Sequence, residues 1–428
     1  MQKVKLSDSL TLGFALFAMF FGAGNLIFPP FLGFMSGGNW FIGFLCFIAA
    51  DAGLSLLALF VIARIGHGVE GITEVLGSGA SKLFLALSCL CIGPFIAIPR
   101  TGAITYEVGV SPLIGGSHSI AVTGIFFLIC LFFSIRRAQI IDVIGKVLSP
   151  LMFIALMVLV IKGIMDPIGT IGTGDALPHV VKNGIISGYQ TMDMMGSAVF
   201  SMAIVFEITN RGYKSEASQF KIIVSSGTVC GLLLFIVYGG LAWLGASAGD
   251  IYPGDITQTE LLTNITRTIL GAPGLYVLAC IVAIACMTTA VGLLTSVSSF
   301  FTDLTHGKIS YEVFVIVFSL FSWVISNFGI STIISIAAPI LTVMFPVLIV
   351  LTFLRLFASR IKDRYVYILS SCTALIISFM STLSSLTGIP LGTDKLPLFD
   401  MGFEWVIPSL MVTAITLIIS KYRHTKSS

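Results

Sequence analysis

The sequence predicts an all-α polytopic membrane protein with about twelve transmembrane helices. Three observations carry that prediction. Of the 428 residues 56% are hydrophobic and only 10% are charged, whereas a soluble domain carries roughly a quarter charged residues. Apolar runs close to the roughly 20 residues needed to cross a bilayer recur along the whole chain. The first and sixth of those runs are interrupted near their middles, five spans apart, which is the footprint of an inverted five-helix repeat.

Taken in order, the spans fall near 9–34, 38–63, 82–106, 119–135, 140–162, 183–208, 218–248, 273–301, 310–327, 330–355, 364–386 and 402–421. Met1-Gln2-Lys3-Val4-Lys5 runs straight into the first of them, without the small-residue cleavage site of a signal peptide. The loops are short and leave no room for a soluble domain. Residues 249–272 read as a turn followed by a short surface helix, and 387–401, with Pro390 and Pro397, as an irregular cap.

Orientation follows from the cations. With the N-terminus inside, 18 of the 23 Lys and Arg residues fall on one side, and the other side keeps only Arg100, Lys162, Lys182, Arg267 and Lys395. Cytoplasmic loops carry such an excess, so both termini are expected in the cytoplasm. The net charge of +3 is spread over these flanking loops and forms no basic arm for nucleic acid.

The first break lies in Met19-Phe20-Phe21-Gly22-Ala23-Gly24-Asn25-Leu26-Ile27-Phe28-Pro29-Pro30. Glycine weakens a helix and proline removes a backbone donor. Groups freed at membrane depth survive only when buried in protein or lining a cavity, so the break marks a binding site. The second break lies in Ser187-Gly188-Tyr189-Gln190-Thr191-Met192-Asp193-Met194-Met195-Gly196-Ser197, with Gly188, Gly196 and Ser197 as the weakening residues. Asp193 sits about ten residues into the span, where an aspartate costs roughly 2.5–3.5 kcal/mol even on an insertion scale, so it needs a partner or a ligand. Opened half-helices point amide dipoles at an anionic group while unwound carbonyls hold a cation, which suits an amino acid's carboxylate and a sodium ion.

Other polar groups lie at depth. In the eighth span, Thr288 and Thr289 are adjacent, so at least one hydroxyl turns inward, either to a monovalent cation or to a carbonyl of its own helix. The third span carries Gly93-Pro94-Phe95-Ile96-Ala97-Ile98-Pro99-Arg100-Thr101, a vestibule signal in which Arg100 balances Asp193 or Asp51 or meets a substrate carboxylate. Asp51 lies among small residues of the second span, which favours tight packing and a structural hydrogen bond. Glu207 and Arg211 read as a gate or an anchoring ion pair. The eight cysteines sit in apolar segments as free thiols, no histidine pair supports haem or a di-metal centre, and no Walker loop supports ATP-driven transport.

With these residues in view, the chain resembles the bacterial branched-chain amino acid:cation symporter family. The resemblance rests on Phe20 to Pro30, on Gly93 to Thr101, on Thr191-Met192-Asp193 and on Thr288-Thr289-Ala290-Val291-Gly292, and it covers nearly the whole chain. It implies uptake of leucine, isoleucine and valine across the cytoplasmic membrane, driven by a sodium or proton gradient. It also implies the leucine-transporter-like architecture, with helices 1–5 in residues 1–165, helices 6–10 in 180–357, and two extra helices in 358–428. By that resemblance the amides of Ala23 and Gly24 would receive the substrate carboxylate, and Asn25 would steady the unwound turn or a ligand. Asp193 would accept the ammonium, and Gly196 and its neighbours would shape the side-chain pocket. Carbonyls of Ala18 and Phe21, facing Ala285, Thr288 and Thr289, would form the sodium site. The role of Arg100 is not inherited from the wider fold.

The expected function is secondary active symport without an organic cofactor, in a lipid bilayer, with sodium as coupling ion. A proton-coupled carrier using Asp193, Asp51 or Glu207 is the alternative, and a non-transporting membrane subunit is a more distant one. The sequence leaves the oligomeric state open.

Overall fold

The computed structural model describes residues 4–65, 71–116, 118–136 and 149–427. Among them the chain is helical, and the helices make twelve passes. Six continuous runs are long and apolar enough to cross a membrane, and shorter apolar helices at Leu6–Phe20, Ser119–Ile135, Ser149–Met165, Tyr311–Ser326 and Val406–Tyr422 join them. An even number of passes returns the C-terminus to the side on which the chain starts, here the terminal side. The opposite side is the far side. The start of the fifth span, which the sequence places at 140–148, lies outside the described residues.

The first span is two helices, Leu6–Phe20 and Ala23–Ser36, separated by Phe21 and Gly22 in extended or non-helical backbone. The break is therefore narrower than the sequence suggests. The proline pair does not open it: Pro29 and Pro30 lie inside the second helix. Their missing N–H groups leave the carbonyls of Asn25 and Leu26 without the usual i+4 donors. This half-helix instead presses against the seventh span, Glu216–Ala246. A side chain on Gly33 would collide with the Ala242 carbonyl, and one on Gly245 with the Pro30 carbonyl. Glycine at both points lets two backbones touch.

The sixth span is likewise two helices, Leu177–Thr191 and Asp193–Asn210, joined at Met192, whose φ of 65° is left-handed. The glycines expected to weaken this span are helical. Gly188 allows close approach of Phe47 and Ala50 on the second span, and Gly196 faces the Phe200 ring. Packing between spans accounts for Gly188, and Gly196 makes room for a ring of its own helix. A non-glycine residue in a left-handed conformation at mid-span is costly, and the surrounding packing holds it.

Two more spans bend where polar residues sit. The second span runs over residues 40–65 and widens into a π-helical turn at Ala49–Gly53, which carries Asp51. The third, Ser78–Ile114, has a π turn at Cys91–Phe95 that includes Pro94, and a break at Gly93 and Ile96 just before Arg100. The helix from Gln258 to Leu304 begins on the far side with a Thr257–Glu260 capping box and bends at Gly271 before entering the eighth span. The surface helix expected in 249–272 is its first part. Residues 387–401 form two short 3-10 turns, with Lys182 over the Phe399 ring.

Candidate functional site

Both breaks fall at the same depth, and one side chain joins them. The Asn25 Oδ1 accepts from the Gly22 amide at 3.2 Å, closing the turn that starts the second half of the first span. Its Nδ2 then faces three oxygens: Tyr238 at 2.6 Å, Asp193 Oδ2 at 2.7 Å and Asp51 Oδ2 at 3.3 Å. An amide carries two hydrogens, so these three acceptors compete for it. Asp51 is further held through its other oxygen by Thr191 at 2.7 Å. The backbone next to Asp193 is tied by Ser197, whose hydroxyl reaches both the Asp193 and the Ser55 carbonyls at 2.9 Å. Asn25, Asp51, Asp193 and Tyr238 are all buried.

Asp193 opens the second half of the sixth span, where a carboxylate is favoured by the helix dipole. The end of the preceding half-helix offers the opposite polarity. Arg100 donates from its two terminal nitrogens to the Gln190 carbonyl at 2.5 Å and the Thr191 carbonyl at 3.3 Å. Of the three roles open for Arg100 in the sequence, none describes this contact: the guanidinium caps freed carbonyls of the sixth span. It lies over the Phe28 ring at 5.6 Å and directly against Gly24. Its Nε is buried and without a hydrogen-bond partner among the described residues. The amides of Ala23 and Gly24 begin a helix and have no intrahelical acceptor. One corner of the site is thus rich in donors, with Ala23, Gly24 and Arg100, and the other is rich in acceptors, with Asp51 and Asp193.

Ala23, Arg100 and Asp193 line a cavity of about 30 Å³, close to the volume of a single water. Its apolar wall includes Met19, Phe20, Ile92, Met192, Phe200 and Leu293, and Gly196 lines it as well. Thr289 lines the same cavity, and its hydroxyl lies opposite Gly22, buried and without a hydrogen-bond partner among the described residues. Thr288 instead donates to the Ala285 carbonyl at 2.8 Å, the local bond weighed as its alternative in the sequence. A hydroxyl that donates there still has lone pairs free for a cation. Ala18 is in the last turn of the first half-helix and Phe21 in the break itself, where carbonyls lack intrahelical donors.

Asp51 makes the structural hydrogen bond that its small neighbours favour, though nothing in a sequence reveals the π turn that carries it. One member of this cluster escaped the sequence. Tyr238 carried a usable signal: a lone phenol in an apolar span needs a partner for its hydroxyl. Glu107 lies apart, at the far side. It accepts from the Ile330 amide at 2.8 Å and from Thr259 at 3.0 Å, and lines a polar cavity of about 410 Å³ with Glu260 and Arg267. Glu207 pairs with Arg211 at 2.9 Å, as expected for an anchoring pair, and Arg211 also reaches Asp8 at 3.3 Å.

Residues 5–423 match the family model described as branched-chain amino acid transport protein. The chain belongs to that family. It is 34% identical over 429 residues to the branched-chain amino acid transport system 2 carrier protein of Pseudomonas aeruginosa, covering 98% of both chains. It is 31% identical over 434 residues to the branched-chain amino acid permease BraB of Bacillus subtilis, covering 98% of this chain and 97% of that one. Relatives so named make the chain a transporter and not an enzyme.

Solved structures agree on the architecture. The substrate-bound outward-open state of a Na+-coupled sialic acid symporter superposes with a TM-score of 0.61 at 15% identity, over 96% of this chain and 90% of that one. MhsT in complex with L-phenylalanine gives 0.57 at 14% identity, over 96% and 98%. These identities establish the leucine-transporter-like fold, with its broken first and sixth helices and two additional helices, and nothing finer.

Proposed function

We propose that the protein imports leucine, isoleucine and valine together with sodium, by alternating access about the broken first and sixth spans. The observation that carries this reading is the polarity of the site. Donors from Ala23 and Arg100 and the Asp193 carboxyl line one small apolar-walled cavity, with Gly24 beside Arg100 and Asp51 beside Asn25. A zwitterion with an aliphatic side chain matches all three regions. Its carboxylate takes the free amides and the Arg100 Nε, its ammonium takes Asp193 in place of the Asn25 amide, and its side chain enters the wall of Met19, Ile92, Met192 and Phe200. Pockets of this kind separate one methylene by only about 1–3 kcal/mol, so the three substrates compete closely. The cavity must widen for any of them to enter, which rocking of the broken helices supplies.

Sodium binds between the first and eighth spans in this reading, at the carbonyls of Ala18, Phe21 and Ala285 and the hydroxyls of Thr288 and Thr289. The sialic acid symporter, named as Na+-coupled, supports the choice by its fold. A proton is the second reading, favoured by one contact: two carboxyls address the same Asn25 nitrogen, and a positive charge between them relieves their repulsion. Residues 1–165 and 180–357 form the two repeats and 358–428 the additional helices, with both termini in the cytoplasm and the protein in the cell membrane. Labelled-leucine uptake into proteoliposomes, with sodium and pH gradients imposed separately, tests the whole reading. Accumulation on an inward sodium gradient at equal pH is expected. Accumulation only on a pH gradient replaces sodium with a proton, and none on either gradient removes the proposed symport.

A further inference from the structure

The second half of the sixth span, Asp193–Asn210, presents one row of residues to the central cavity. Asp193, Gly196 and Phe200 all line it, and their spacing of three and then four residues puts them on a single helix face. A helical side chain leans back toward the N-terminus of its helix, so the Phe200 ring lies over the preceding turn. Gly196 leaves the room for it: a methyl group there would stand 2.9 Å from Phe200 Cε2. From the first span the Phe20 ring meets Phe200 edge to face, with centroids 5.4 Å apart and planes at 83°. Phe20 is itself buried and ends the first half-helix, so its own position is fixed. Both phenylalanines belong to the halves that run to the terminal side, and the ring pair bounds the cavity there.

Gly196 is three residues from Asp193, about 4.5 Å along the helix axis. A substrate whose ammonium rests on Asp193 has about that length before its side chain reaches the Phe200 ring. A branched aliphatic side chain fits it, and a benzyl or indolyl group exceeds it. We propose that the Phe200 ring, seated over Gly196 and braced by Phe20, is the stop that limits substrate side-chain length and excludes aromatic amino acids. The inference rests on the reading above, in which Asp193 takes the ammonium, and adds to it the residue that sets the upper size. Met19 and Met192 in the same wall have flexible chains that re-pack around a guest, whereas two rings held edge to face form its rigid part.

The test measures binding of labelled leucine to the purified full-length protein and its displacement by unlabelled phenylalanine or valine. Phe200→Ala is expected to raise the affinity for phenylalanine relative to leucine by about tenfold or more, the discrimination one methylene carries. Phe20→Leu should move the same ratio in the same direction by less. Gly196→Ala crowds the ring and should weaken leucine about fivefold more than valine. Phe353→Ala, on the tenth span at a position 45% exposed and outside the cavity, is the control and leaves both ratios where they were. Where Phe200→Ala binds no leucine, Phe200→Leu is read by the same ratio with the same direction expected. A phenylalanine-to-leucine ratio unmoved in the Phe200 variant overturns the proposal, as does a Gly196→Ala that weakens leucine and valine alike. Asp193→Asn separates that failure from failure of the underlying reading. Leucine bound as tightly by Asp193→Asn removes the reading itself, whereas its loss beside an unmoved Phe200 ratio removes the stop alone.

Discussion

Asn25 donates its side-chain amide to Asp193 Oδ2 at 2.7 Å, so the residue that closes the first break also touches the residue that follows the second. Replacing it with leucine of similar volume removes the donor for two buried carboxyls and the acceptor for the Gly22 amide together. Leaving such groups unpaired costs about 1–3 kcal/mol each. Asn25→Leu is therefore expected to abolish leucine uptake and to lower the thermal midpoint of the purified protein. Both are measurable on one preparation. Uptake at the unaltered rate would mean that the two breaks need no such tie.

The eighth span offers a finer test, because its two threonines differ. Thr288 already satisfies its hydroxyl on the Ala285 carbonyl, whereas the Thr289 hydroxyl faces Gly22 with no partner among the described residues. Thr289→Val keeps the shape and removes the oxygen. It is expected to raise the sodium concentration for half-maximal uptake by about tenfold, equivalent to about 1.4 kcal/mol. Thr288→Val should do less, since part of that hydroxyl's bonding is local. Sodium titrations of uptake on both variants give the order. The reverse order would move the cation away from Thr289.

Much of this arrangement could be read from the chain. Twelve apolar runs, a break in the first and another in the sixth follow from hydropathy and from Gly22, Asn25 and Asp193, because lipid tolerates so few polar residues. The mechanism of each break was less legible. Glycine and proline both interrupt helices and both let helices pack, and composition does not separate the two uses. Gly188 turned out to serve packing and the Pro29–Pro30 pair lies inside a helix, while the openings fell on Phe21 and Gly22 and on Met192, of which only Gly22 is a helix breaker. The Arg100 contact was out of reach for another reason. Its acceptors are the backbone carbonyls of Gln190 and Thr191, and carbonyls leave no trace in residue identity.

That double use of glycine makes its own prediction. A methyl group on Gly245 would meet the Pro30 carbonyl, and one on Gly33 the Ala242 carbonyl, whereas one on Gly292 meets nothing within 4 Å. Overpacking of this kind typically costs 1–3 kcal/mol, and about the upper end applies here because the obstacle is backbone. Gly292→Ala instead gains helix propensity of up to about 1 kcal/mol. Thermal melts of Gly33→Ala, Gly245→Ala and Gly292→Ala in one detergent should show two clear losses and no loss. Equal melting of all three would mean that the first and seventh spans are not in backbone contact.

On the terminal side the first half of the first span is held at its root. Arg211 bridges Asp8 at 3.3 Å and Glu207 at 2.9 Å, and Tyr213 donates to Asp8 at 2.8 Å, so the chain start is fastened to the end of the sixth span. If the half-helix swings to release substrate on this side, these bonds must break first. Arg211 is about one-fifth exposed, so solvent weakens the pair and its contribution is small, about 0.2–1 kcal/mol. Removing it shifts the opening equilibrium by a factor of about 1.4 to 5 and does not unfold the protein. Ser9 is buried beside this fastening and accepts from Ser225 at 2.7 Å. A cysteine at position 9 should react with a membrane-impermeant thiol reagent about 1.4 to 5 times faster in Arg211→Ala than in its parent, when the reagent is applied from the terminal side. The same rate in both would show that the ion pair anchors the loop without restraining the half-helix.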